Sequence, residues 1–74
     1  MPSTVIRKVA YRPERQELEV LFATGRRYLF LQVPEGTARA FAAARIKGIH
    51  FNRHIRGRYR FIFCGVEEPE DTNP

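Results

Sequence analysis

Apolar and polar positions alternate along the first 33 residues. Val5, Val9 and Tyr11 fall on one face of an extended segment, and Leu18, Val20 and Phe22 on one face of the next. In a third segment Tyr28 and Phe30 share one face, with Leu29, Leu31 and Val33 on the other. A period of two carried by β-branched and aromatic residues predicts strands. Arg12-Pro13-Glu14-Arg15 puts proline where a type I turn wants its fixed φ, and Gly25 supplies a positive φ before the third run. Turns this short join antiparallel neighbours, so the three segments predict a meander. The third, apolar on both faces, is expected at its centre.

After Val33 the period changes. Pro34 reads as the first helical residue, with Glu35 in the first turn. Ala38, Phe41, Ala42 and Arg45 recur at helical spacing, which predicts a helix over Pro34–Ala44 in a stretch ending near Gly48. Gly48 either ends this helix or separates it from a second. Phe51 and Ile55, four apart, predict a short helix over Ile49–Ile55, stopped by Gly57. From Arg58 to Phe63 the pattern begins as alternation and ends as an apolar run. It predicts a short C-terminal strand or an extended segment on the core. The expected fold is α+β in two layers: a three-stranded antiparallel meander, then one or two helices and that short C-terminal strand. Phe22, Tyr28 and Phe30 are expected to fill the space beneath the alanine-rich helix.

Charge sharpens the division. Residues 1–35 hold six basic and four acidic side chains; residues 36–66 hold seven basic and none acidic. Residues 67–74 hold four acidic side chains, two prolines and nothing apolar, which predicts a disordered acidic tail after a single domain over 1–66. Eleven of the 13 basic residues are arginine, whose planar fork matches phosphate or carboxylate. An anionic polymer is one partner this suits; a solvated surface is the plainer use. At 74 residues the chain has room for one thin core and no second domain to close over a cofactor. The single cysteine excludes an intrachain disulfide, no apolar run approaches the roughly 20 residues of a membrane span, and no signal peptide is visible. A reduced, cytoplasmic setting is expected.

The order of features is itself informative. Tyr11, then Leu18–Phe22, Gly25, Tyr28-Leu29-Phe30 and Val33-Pro34 are followed by Lys47-Gly48, Phe51-Asn52, Ile55-Arg56 and Tyr59. This series resembles the KTSC domain family over Val5 to Phe61. The family is named from a C-terminal extension of some lysyl-tRNA synthetases and also occurs as short stand-alone bacterial proteins. Phe30 stands where the family has the second tyrosine of Tyr-x-Tyr, which removes a hydroxyl. Ile46 stands where a serine usually precedes Lys-Gly, which removes a helix-capping group. The family has no established activity; the resemblance implies an association with RNA by context.

The candidate nucleic-acid-binding residues are Lys47, Asn52, Arg53, Arg56, Arg58, Tyr59 and Arg60. On a helix Phe51 and Ile55 would anchor while Asn52, Arg53 and Arg56 face outward. Arg58 and Arg60 would share a face of an extended segment, with Tyr59 free to stack a base or, alternatively, committed to the core. Tyr28 and Phe30 are an aromatic pair that either stacks on an exposed sheet face or fills the core, and a core this small needs most of the nine aromatics. His50 and His54 have metal-ligand spacing, yet Cys64 is the only other cysteine or histidine, too few for a structural zinc site. Cys64, after Phe61-Ile62-Phe63, is expected in apolar surroundings where a thiol is inert. Residues 36–66 contain no carboxylate for acid-base work, and the glycines are too widely spaced for a phosphate loop. The expectation is a non-catalytic module without a cofactor, small-molecule substrate or membrane contact. It binds RNA or another nucleic acid, or alternatively pairs with protein as a homodimer through a sheet edge or aromatics. The acidic tail is expected to fold back on the basic stretch and compete with an anionic partner. Truncation after Val66 should then raise nucleic-acid affinity at low salt, and an unchanged affinity would refute the competition.

Overall fold

A computed structural model describes residues 5–67. Four strands, β1 (Ile6–Arg12), β2 (Glu17–Phe22), β3 (Arg26–Phe30) and β4 (Phe61–Val66), form one antiparallel sheet in chain order. Helices α1 (Glu35–Ala43) and α2 (Lys47–His50), with a π-helical turn over Phe51–Ile55, lie between β3 and β4 in sequence. The C-terminal apolar run is thus a true strand of six residues, and β3 is internal as its two apolar faces implied.

Pairing assembles the core face. Val9 lies opposite Val20 and Val20 opposite Tyr28; Tyr11 lies opposite Leu18 and Leu18 opposite Phe30. Against this face pack Ala38, Phe41, Phe51 and Ile55 from the helical layer, with Val33 at its entrance. Phe41, Leu18, Ile55, Val20 and Val33 are the largest fully buried side chains. Full burial of a Leu or Phe contributes roughly 1.5–3 kcal/mol, so this handful carries much of a small domain's stability. Val33 is also tied by polar groups: its amide donates to the Gln16 carbonyl at 2.9 Å, and its carbonyl accepts from the Tyr11 hydroxyl at 2.6 Å. These bonds fix the start of α1 against the β1–β2 hairpin. Burial, and secondarily the Glu35 carboxylate, raise the Tyr11 pKa above its ordinary value.

Several expectations shift by a few residues, each for a local reason. Pro34 is the N-cap of α1 rather than its first helical residue, with φ −64° and ψ 152°. The helix ends at Ala43, and Ala42 is exposed, because the buried stripe consists of Ala38 and Phe41. Gly48 does not end or separate helices: it is buried inside α2, which begins at Lys47. Arg7 falls at a break in the β1–β2 register, so the phase changes there. Ile6 therefore joins Val9 and Tyr11 against the core, and Val5 is left exposed. Arg58 and Tyr59 are turn and bend, and β4 starts only at Phe61. The predicted tail over 67–74 lies outside the described residues except for Glu67, whose amide donates to the Gly25 carbonyl at 2.6 Å.

Gly25 occupies the β2–β3 turn at φ +93°, and a Cβ there would come within 2.5 Å of the Glu67 carbonyl oxygen. Gly36, near the start of α1, has open space around it. Substitution to alanine should therefore act with opposite signs. Gly25→Ala is expected to lower stability by about 1–3 kcal/mol through backbone strain and collision. Gly36→Ala should raise it by about 0.5–1 kcal/mol through helix propensity. Urea midpoints of the two variants moving in the same direction would contradict this reading of the two turns.

Candidate nucleic-acid interface

The helical layer sets the geometry of the candidate site. Ile46 caps α2 without a side-chain hydrogen bond, consistent with an apolar residue at that position. After His50 the helix widens. The Arg56 amide donates to the Phe51 carbonyl at 2.9 Å, five residues back, which defines the π turn. In such a turn residues five apart come nearer to one face than in an α-helix, where they diverge. Arg56 is thereby brought to the side of Phe51, while Phe51 and Ile55 stay buried. Asn52, Arg53 and Arg56 are exposed, as the helical spacing required, and an Arg56 guanidinium nitrogen donates to Asn52 Oδ1 at 3.3 Å.

The other candidates divide. Arg58 and Arg60 are exposed, on the turn that leads into β4. Tyr59 is half-buried and packs against the core cluster, so its ring is largely committed there. Lys47 is half-buried and its Nζ donates to the Ala44 carbonyl at 3.2 Å, closing the end of α1. The exposed cationic groups of the stretch are therefore its arginines. The ion pairs among the described residues are Arg12–Glu19, Arg27–Glu19 and Arg39–Glu35, all away from Arg53, Arg56, Arg58 and Arg60.

A cavity of about 460 Å³ that the linear pattern did not reveal opens on the core face, with Arg56 of this stretch at its wall. Its walls include the rings of Phe22, Tyr28, Phe30, Phe51 and Phe61, with Arg26 and Arg56 among the lining residues. The rings meet edge to face: Phe22 and Phe51 at 5.3 Å, Tyr28 and Phe61 at 5.4 Å, Phe22 and Tyr28 at 5.6 Å. Tyr28 and Phe30 take different roles. Phe30 is buried and brings no hydroxyl that would need a partner there, and Tyr28 is only partly buried. The only sequence signal for the cavity was the count of aromatics, because Phe22, Phe51 and Phe61 come from three separate elements.

His50 and His54 approach at 4.4 Å between ring centroids, and His50 stacks on Phe41 at 5.8 Å. Among the described residues no group of three or more histidine, cysteine or carboxylate side chains gathers around a common point. Cys64 is exposed, contrary to the apolar surroundings expected of it, because β4 is an edge strand and the helical layer does not cover it.

These features define a small α+β domain with an arginine-bearing turn beside an aromatic cavity. The sequence pattern of the KTSC domain matches residues 2–59, and the chain belongs to the KTSC domain family. Its fold superimposes on the crystal structure of a KTSC domain protein from Yersinia pestis with a TM-score of 0.80 and 31% identity, covering 88% of this chain and 92% of that one. An uncharacterized protein of Stutzerimonas stutzeri is 36% identical over 62 residues, 82% of this chain and 87% of that protein. A lysine–tRNA ligase of Nostoc punctiforme is 33% identical over 58 residues, 78% of this chain. The chain spans only 10% of that ligase's length. Among the described residues no helix is long and apolar enough to cross a membrane.

Burial first, and the neighbouring His54 second, lower the His50 pKa below its ordinary 6.5. The fold thus favours neutral His50. Its contribution is complete above pH 6.5 and is lost as pH falls through the lower folded value. Wild type should lose stability between pH 7.5 and pH 5, and His50→Gln should lose less over the same interval. Identical pH dependence of the two urea midpoints would remove His50 as a contributor.

Proposed function

We propose that this domain is a non-catalytic cytoplasmic module that binds RNA, or another nucleic acid, through the arginines between Lys47 and Arg60. The observation that carries the reading is the separation of charge. Arg53, Arg56, Arg58 and Arg60 are exposed, and among the described residues none of them forms an ion pair with a carboxylate. Guanidinium groups left in this state attract phosphate and release its counterions when they bind. The lysine–tRNA ligase that carries a similar stretch acts on an RNA by its name, which supports the same class of partner. No small-molecule substrate or cofactor enters this reading.

A second reading, homodimerisation, is favoured by β4. Phe61, Ile62, Phe63 and Val66 are each at least half exposed, and no residue of this edge strand is charged. An unpaired strand edge of this kind can add a second copy's strand. Its bulge, where Gly65 takes φ +102° and Cys64 is skipped in the pairing with β3, bends the strand and shortens the usable edge.

Titration of the labelled chain with tRNA and with a short single-stranded RNA at two salt concentrations separates these readings. Binding that weakens steeply with salt, with NMR shifts concentrated at 47–60, is the expected result. The double variant Arg53→Gln/Arg58→Gln should keep its fold. Its logarithmic salt slope should fall by ~0.7 for each single-strand phosphate that no longer meets an arginine. Absence of binding at low salt, together with a dimer by light scattering, would replace the first reading by the second.

A further inference from the structure

The aromatic cavity goes beyond a basic surface, because charge alone gives it no purpose. Its volume of about 460 Å³ lies within the roughly 300–1,000 Å³ of ordinary ligand pockets. Its walls are unusual in kind. Five aromatic rings line it, while Val5 is the one branched aliphatic residue among its lining. Such walls suit a flat aromatic body, which stacks on a ring face or meets a ring edge, better than a flexible alkyl chain. Among the described residues no carboxylate lines it, and the two charged residues that do, Arg26 and Arg56, are both cationic and exposed. A ligand that is planar and apolar in its middle and anionic at its ends satisfies both sets of groups. That description fits one nucleotide of a single strand, whose base is free of a pairing partner.

We propose that this cavity takes one unstacked nucleobase of a single-stranded nucleic acid, while Arg26 and Arg56 hold the phosphates on either side of it. The proposal rests on the nucleic-acid reading of the basic segment and adds to it a preference for unpaired bases. The two arginines reach the cavity from different parts of the chain. Arg26 opens β3, and Arg56 arrives through the π turn that places it beside Phe51. Phe61 contributes a wall from β4 and is 57% exposed, so a base can contact it without the core opening. Phosphate contacts along Arg53, Arg58 and Arg60 would hold any strand, whereas the cavity would distinguish a base that can leave its stack from one that is paired.

The test uses the full chain and four fluorescein-labelled nonamers: single-stranded RNA, single-stranded DNA, the RNA duplex, and a sugar-phosphate strand without bases. Either single strand should bind more tightly than both the duplex and the abasic strand, with ring-proton shifts at Phe22, Tyr28 and Phe61. Phe61→Ala, checked for fold by circular dichroism, should weaken binding of the base-bearing single strand roughly tenfold and leave the abasic strand unaffected. Arg26→Gln should weaken both. Equal binding of all four probes, unchanged by Phe61→Ala, would overturn the cavity proposal and leave the basic-surface reading standing. Binding of none of them at low salt would overturn both. Ring shifts produced by a fatty acid and not by an oligonucleotide would assign the cavity to an alkyl ligand and overturn the proposal.

Discussion

Four strands present more surface than two short helices and a turn can cover, and the arrangement of this domain follows from that shortfall. The helical layer reaches the sheet with few large side chains, Phe41, Phe51 and Ile55, set among alanines. These side chains seal Leu18, Val20 and Phe30 at the middle of the sheet. Coverage then runs out. Tyr11 and Val9 at one margin are half-buried, and β4 at the other is exposed at every position except Gly65. Phe61, which β4 directs to the core face, therefore rims an opening instead of closing a core. Small size is the physical cause, since a short chain cannot bury as large a share of its surface as a long one.

Phe51 stands where the two sides of this shortfall meet. It packs against Phe22, Phe30 and Phe41, so it belongs to the core, and it also forms a wall of the cavity. A regular α-helix would have carried Arg56 away from this side. The π turn returns it, and Gly57 then turns the chain toward β4. One wide turn thus serves packing, by keeping Phe51 and Ile55 inward, and surface chemistry, by setting a cation beside aromatic rings.

Charge is distributed along the same division. The carboxylates Glu19 and Glu35 sit on β2 and α1, where arginines from β1, β3 and α1 meet them. Along the turn from Arg53 to Arg60, Arg56 donates to the neutral amide of Asn52, and among the described residues no carboxylate pairs with its arginines. Among the described residues this cluster of like charges has no neutralising carboxylate, and such a cluster projects a field into solvent.

Much of the fold was legible in the sequence. The period of two marked the first three strands, proline and glycine marked their turns, and Phe51 with Ile55 marked the second helical segment. Local chemistry fixes these features, because each depends on residues a few positions apart. The bulge at Arg7 reversed the expected face of Val5, since register is set by the partner strand and not by the strand's own sequence. Tyr59 and Lys47, candidates by position, were drawn into packing and capping, while Cys64 was left exposed by an edge that local sequence does not specify. The arginines remained where composition placed them. What they stand beside was decided only by the tertiary structure, because Phe22, Tyr28, Phe51 and Phe61 lie on β2, β3, the π turn and β4 and meet only when the sheet closes against its incomplete helical layer.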